Sequence, residues 1–220
     1  TLPSINYTGI FLLKKEENTP ARVYNNVNIK FMDKKGISLI KFVTLQHYIN
    51  RNTFMIEVTD AALQKAAGEG MDEFIQVFTD KYKEVIGGEL TAETMALLTG
   101  EQHSLLAYQI FRDEIMTGGF CQLIQNGYGG YIFDNPFAKV MRLWGAEEFS
   151  KLIYRAKKIY DAHRADLEKE RTEDEFMAMY EQYEAFDELE EEYFEMEEQV
   201  TATVAGYLDD HLELFAKIIK

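Results

Sequence analysis

An acidic segment in the last quarter of the sequence limits the folds open to this chain. Between Thr172 and Ala216 there are 45 residues without Lys or Arg, and 16 of them are Asp or Glu. Acidic segments that lack aromatic residues are usually disordered. This one is rich in Phe and Tyr, at Phe176, Tyr180, Tyr183, Phe186, Tyr193 and Phe194. We therefore expect its acids to be mounted on folded helices.

Nearly all of the net charge of -15 lies in this part of the chain. Residues 166–198 hold 16 acids against two bases, whereas the rest of the chain holds 22 acids and 21 bases. Such a field repels nucleic acid and anionic membranes and attracts basic proteins. If residues 173–198 were one helix, their 13 acids would follow one another every ~3 Å, compared with ~3.4 Å along a DNA strand. A solvated face that serves only solubility is the alternative.

The secondary-structure signals in the sequence change from strand-like to helical near residue 60. Residues 23–31 alternate apolar and polar side chains, residues 37–43 read as a returning strand, and residues 53–58 as a third. From Asp60 onward, helix caps replace that alternation. We therefore predict a mainly α protein, in which residues 60–220 form one helical domain and residues 1–59 a small β-rich element.

Several helix boundaries can be predicted from capping residues and glycines. A Ser or Thr followed by Glu or Gln three residues later forms a capping box, and Asn before Pro is a favoured start. The predicted starts are Thr99 with Gln102, Asn135 before Pro136, Thr172 with Glu175, and Asp187 with Glu190. Gly118 and Gly119 are predicted to end the helix that Thr99 begins. A break near residues 185–188 would divide the acidic segment into two helices.

The helical periodicity also predicts a set of buried anchors. Apolar side chains three and four residues apart form the core-facing stripe of a helix. The predicted anchors are Phe120, Trp144, Phe176, Tyr183 and Leu189. Their burial would hold the charged helices in one orientation.

The sequence does not identify catalytic, cofactor-binding or metal-binding residues. None of the four histidines has a Glu three residues before it, as a di-metal helix bundle would need. Cys121 is the single cysteine, which excludes a cysteine zinc site, and it reads as a buried thiol. Gln122 and Asn126 are predicted to hydrogen-bond the backbone exposed by the glycine turn. A polar pocket around these three residues would instead favour an enzyme.

Cysteine usage and hydropathy both favour a cytoplasmic protein. A single cysteine excludes an intrachain disulfide and fits a reducing compartment. The apolar stretch at residues 10–13 is too short for a signal sequence or a membrane span. Whether a leader once preceded Thr1 stays open.

Three segments carry a resemblance to a known family. They are EQHSLLAYQIFRDEIMTGGFCQ running into LIQNGYGGY at residues 123–131, LWGAEEF at residues 143–149, and FDELEEEYFEMEE running into YLDDHLELF. Over about residues 55–216 the chain resembles the bacterial DNA-mimic protein family. The signature residues are Gly118, Gly119, Phe120, Gln122 and Asn126. Thr117 stands where the family commonly has Asn before the paired glycines.

The resemblance implies a helical domain whose acidic surface imitates duplex DNA. Such a surface occupies the DNA-binding face of a basic protein, for example a transcription factor, and does not bind DNA itself. The predicted partner-binding residues are Glu184, Glu188, Glu191, Glu192, Glu195, Glu197 and Glu198. A helical interaction or structural domain without mimicry is the alternative, and an enzyme is less favoured. The resemblance leaves a homodimer open.

Overall fold

Helices dominate the structure, as the repeated caps predicted. The computed structural model describes residues 56–220, and the mainly α class is confirmed. The helices of this part of the chain are α1 (Asp60–Glu69), α2 (Met71–Ile86), α3 (Ala92–Met95), α4 (Gly100–Gln125), α5 (Gly129–Phe133), α6 (Phe137–Leu143), α7 (Glu147–Leu167), α8 (Glu173–Gln182), α9 (Asp187–Asp210) and α10 (Leu212–Phe215). The strands predicted within residues 23–43 lie outside the described residues. The domain boundary near residue 60 stays a prediction.

A pair of short strands connects the two ends of the described chain. Strand β1 (Glu57–Thr59) pairs in parallel with β2 (Lys217–Ile219), and Val58 lies opposite Ile218. Val58 is buried, and the backbone N–H of Lys217 donates to the Ile56 carbonyl at 2.8 Å. β1 overlaps the end of the strand predicted at residues 53–58. β2 was not predicted, since a parallel partner so far along the chain leaves no local signal.

Two of the predicted capping boxes are confirmed. The Thr99 hydroxyl accepts the Gln102 N–H at the start of α4, and Thr172 with Glu175 repeats the arrangement at α8. The boxes satisfy backbone N–H groups that have no partner within the first turn. They fix where α4 and α8 begin.

The other two predicted caps are wrong. Pro136 caps α6 without a side-chain hydrogen bond, and the Asn135 amide donates instead to the Tyr131 carbonyl. α9 begins directly from a preceding helical turn at Phe186, so its first turn has no side-chain cap. Glu190, the expected cap partner, contacts a different helix.

The predicted break in the acidic segment is confirmed. α8 ends at Gln182, a 3₁₀ turn spans Glu184–Phe186, and α9 follows directly. The buried Phe186 ring lies 4.9 Å from the Phe120 ring. The turn is therefore held in the core, and the acids lie on two helices rather than on one straight rod.

The core gathers around Phe111 on α4. Its ring lies 5.1 Å from the rings of Phe149 on α7 and Tyr193 on α9. Of the predicted anchors, these are buried: Phe120, Trp144, Tyr183 and Leu189. Phe176 is only partly buried, because it lies near the exposed start of α8.

α4 and α9 run antiparallel, side by side. The Tyr108 hydroxyl lies 2.7 Å from that of Thr201, and Arg112 pairs with Glu197. Further along α4, the backbone N–H of Phe120 donates to Glu190 at 2.7 Å. Residue numbers along α4 increase while those of their partners on α9 decrease, as antiparallel packing requires. These contacts fix the orientation of α9.

The paired glycines interrupt α4 with a sharp bend, at which two helical stretches meet. Gly118 has φ −158° and ψ 21°, Gly119 has φ 68° and ψ −167°, and helical geometry resumes up to Gln125. The first helical stretch therefore ends at the glycines, as predicted, and a second stretch follows it to Gln125. Non-glycine residues hardly ever adopt the backbone angles of Gly119. A Cβ there would also overlap the Glu190 carboxylate.

Gly119→Ala is expected to lower the free energy of unfolding by about 1–3 kcal/mol from backbone strain. Displacement of Glu190 should add to this loss. Gly127→Ala is the matched control, because Gly127 has φ 86° but open space around its Cβ position. Urea denaturation would compare the two variants. Equal losses would show that Glu190 does not restrict the Gly119 position.

Candidate protein-binding surface

Four of the predicted partner-binding acids face solvent without an ion pair. Within residues 56–220 no Lys, Arg or His lies in ion-pair range of them, and all are exposed: Glu184, Glu191, Glu195 and Glu198. The last three are spaced three and four residues apart, so they follow one face of α9. No cation of the described residues therefore compensates their charges at close range.

The other three predicted acids have arginine partners. Glu197, with its side chain 16% exposed, pairs with Arg112, which also binds Asp72 at 2.6 Å. Glu192 pairs with Arg155. Glu188 lies 3.5 Å from Arg155 but keeps 85% of its side chain exposed. Glu197 and Glu192 thus help to dock α9, while Glu188 still presents its charge to solvent.

Glu190 fixes α9 to the glycine bend. The sequence did not identify it as a site residue. Its carboxylate is partly buried and accepts the Phe120 N–H. Burial raises the pKa of Glu190, the hydrogen bond from Phe120 opposes this, and the charge of Asp187 adds to the rise. Its spacing of three residues from Asp187 matches a capping box. No other signal in the sequence indicates the contact between Glu190 and Phe120.

Glu190→Gln is expected to change the pH dependence of stability. Because folding raises the pKa above 4.5, the contribution of the protonated carboxyl is lost as the pH rises through the folded pKa. Gln stays neutral and keeps an acceptor for Phe120. The stability of Glu190→Gln relative to the parent should therefore increase from about pH 4 to about pH 7. Urea denaturation at both pH values tests this, with Glu191→Gln as the exposed control; a constant difference would contradict it.

The signature residues form a structural joint around the bend. The side-chain amides of Gln122 and Asn126 both donate to Glu114, at 2.9 and 2.8 Å. They do not bond the exposed backbone, so that prediction is wrong. The Gly118 carbonyl instead accepts from the Tyr180 hydroxyl of α8 at 2.9 Å. The joint thus connects α4 to the first acidic helix.

Thr117, which departs from the family pattern, makes a local bond in this joint. Its hydroxyl donates to the Asp113 carbonyl at 2.6 Å, one turn earlier in α4. The substitution therefore leaves the helix before the bend intact.

Two of the three residues whose grouping in a polar pocket would favour an enzyme, Gln122 and Asn126, line the same cleft. A polar cleft of about 310 Å³ is lined by Gln122, Gln125, Asn126, Arg171, Thr172, Glu173 and Phe176. Cys121 does not line this cleft; it is buried, and burial raises the pKa of its thiol to about 12, with Glu190 and Asp187 contributing. The thiol is therefore protonated at neutral pH and a poor nucleophile.

His103 has a structural role in the core. Its two ring nitrogens lie 2.9 Å from the Tyr131 hydroxyl and 2.7 Å from the Met95 carbonyl. Burial lowers its pKa, which favours the neutral ring. Across residues 56–220, no three His, Cys, Asp or Glu side chains are grouped closely enough to hold a metal ion.

The helices in residues 56–220 include none with the length and hydropathy needed to cross a bilayer. The exposed acids of α9 lie on a helix whose other side is buried, and the bond from the Phe120 N–H to Glu190 holds that helix against the bend. The sequence profile of DMP19-like proteins matches residues 96–211. This chain belongs to the DMP19-like family. The match contains all seven predicted partner-binding acids and the signature residues, so the resemblance seen in the sequence is confirmed.

A relative in this family has a name that describes its activity. The chain is 32% identical over 127 residues to the DNA mimic protein DMP19 of Neisseria meningitidis serogroup B, strain ATCC BAA-335 / MC58. The aligned segment covers 57% of this chain and 77% of the relative. The relative is named as a DNA mimic rather than as an enzyme.

Proposed function

We propose that this protein binds a basic DNA-binding protein, such as a transcription factor, and occupies its DNA-binding face. The observation that carries the proposal is the row of exposed acids that have no ion-pair partner within residues 56–220, namely Glu184, Glu191, Glu195 and Glu198. Family membership and the DNA-mimic relative support the same partner class. A DNA-binding partner in a bacterium would also place the encounter in the cytoplasm.

The charge spacing of α9 supports the comparison with DNA. Glu188, Glu191, Glu195 and Glu198 span ten residues, which is ~15 Å of helix. Their charges therefore follow one another every ~5 Å, compared with ~3.4 Å along one DNA strand. The array is sparser than the sequence alone predicted, because the 3₁₀ turn divides the helices and because arginines hold Glu192 and Glu197 against the rest of the domain.

Rigidity is the second support for mimicry. Leu189, Tyr193 and Val200 bury the opposite face of α9, so the helix cannot rotate its acids away from solvent without exposing its core. A preorganised array of charges loses little conformational freedom when a partner binds. A solvated acidic surface that serves only solubility would not need this restriction.

The proposal is tested by capture of partners from a bacterial lysate at low and high salt, followed by their identification. DNA-binding proteins should be enriched and should elute as salt rises, since exposed charges attract through a screened field. The free protein should not shift duplex DNA in a gel. Capture of proteins without any DNA-binding members would favour a helical interaction domain that does not mimic DNA.

A further inference from the structure

Two large apolar side chains are exposed beside the acidic row. Met116 on α4 is 49% exposed, and Phe194 on α9 is 47% exposed. The core does not require either of them, since Ile115 and Tyr193, their neighbours in the chain, are buried. An exposed phenyl ring on a strongly charged helix is a candidate contact residue.

The antiparallel packing of α4 and α9 aligns these two side chains. Arg112 contacts Glu197, and the Phe120 N–H contacts Glu190. Met116 lies four residues after Arg112, and Phe194 lies between Glu190 and Glu197 at helical spacing. Both residues therefore lie at the same level along the helix pair, between two observed contacts. Each is also one helical turn from a residue that contacts the other helix, so both lie at the edge of the contact between α4 and α9.

Exposed carboxylates flank the ring. Glu191 precedes Phe194 by three residues and Glu198 follows it by four, so both lie beside it on the helix surface. Neither has an ion-pair partner in the described part of the chain. A second copy of this protein would bring like charges together there. A cationic partner complements both the charges and the ring.

We infer that the face formed by Met116, Phe194, Glu191 and Glu198, here called the Phe194 face, seats an arginine of the basic partner. The guanidinium lies over the phenyl ring, and its N–H groups reach the flanking carboxylates. Arginine fits better than lysine because it is planar, weakly hydrated and able to bond two acceptors at once. This inference rests on the proposed function and specifies the contact.

Such a contact differs from a purely electrostatic one in its response to salt. Charge attraction between exposed groups weakens as salt rises, whereas the burial of Met116 and of the ring does not depend on charge. The Phe194 face would thus retain part of the affinity at high salt. A duplex DNA backbone offers no apolar side chain, so this contact would be an advantage of the mimic.

The test uses two synthetic peptides of equal length and charge, one with arginines and the other with lysines at the same positions. Fluorescence anisotropy would measure their affinities for the full chain at low and high salt. The parent should prefer the arginine peptide by about 2- to 30-fold. Phe194→Leu, which keeps apolar surface without the ring, should lose the preference. Phe194→Tyr should keep it.

The matched control is Leu143→Ala, which removes another exposed apolar side chain, on α6. It should leave the preference unchanged. Equal binding of both peptides by the parent, or an unaltered preference in Phe194→Leu, would overturn the inference. So would a change in sedimentation mass of the free protein on Phe194→Leu, which would assign the face to self-association. If the preference holds while DNA never competes with the natural partner, only the proposed DNA mimicry fails.

Discussion

Phe120→Ala is expected to lower the free energy of unfolding by about 3–5 kcal/mol, the range for a fully enclosed ring. Phe120 has no exposed surface, and its ring stacks on Phe186 at 4.9 Å and approaches Phe111 and Phe133. Removing it leaves a cavity where α4, α5 and the 3₁₀ turn meet. Urea denaturation followed by circular dichroism would measure the loss.

Phe194→Ala is the control for this variant, because it removes a ring of the same size from the surface. Its effect should stay within about 0.5 kcal/mol. A loss below about 1 kcal/mol for Phe120→Ala would contradict the placement of its ring. Because Phe120 also holds the turn between the acidic helices, the remaining folded protein should show a less ordered acidic surface.

Replacing Glu184, Glu191, Glu195 and Glu198 with Gln is expected to slow association with a basic partner by about tenfold or more at low salt. These acids are exposed and have no arginine partner among the described residues. Gln has nearly the same size and helix propensity as Glu. The fold should survive, and the dependence of association on salt should weaken. Stopped-flow or surface-binding kinetics would measure the rates.

The matched control removes four charges outside the acidic helices: Asp80→Asn, Glu89→Gln, Glu93→Gln and Glu213→Gln. All four positions are exposed. Both variants lose the same number of negative charges. A larger effect of the first set would therefore assign binding to α9 and the turn before it. Equal slowing by both sets would show that these acids act only through the net charge of the protein and not through their position.

The features that sequence could predict are local. Thr99 with Gln102 and Thr172 with Glu175 were identifiable because a capping box needs only residues three apart. The break before Asp187 and the burial of Leu189 follow from helical periodicity. These signals determine where helices begin and which face is apolar.

The features that sequence could not predict depend on distant partners. Glu190 binds Phe120, 70 residues away, and Lys217 in β2 meets Glu57 across 160 residues. The pairing of Glu197 with Arg112 likewise depends on how α4 and α9 pack. Periodicity could place an acid beside an apolar stripe. It could not say which acids would face solvent and which would pair.

The central claim is that this protein occupies the DNA-binding face of its partner. The most direct measurement is equilibrium competition, in which duplex DNA is titrated into the purified complex of this protein and the captured DNA-binding protein. DNA and this protein should exclude each other, so the apparent dissociation constant should rise in proportion to the concentration of DNA once DNA is in excess. A ternary complex, or an affinity that stays constant at saturating DNA, would contradict the claim.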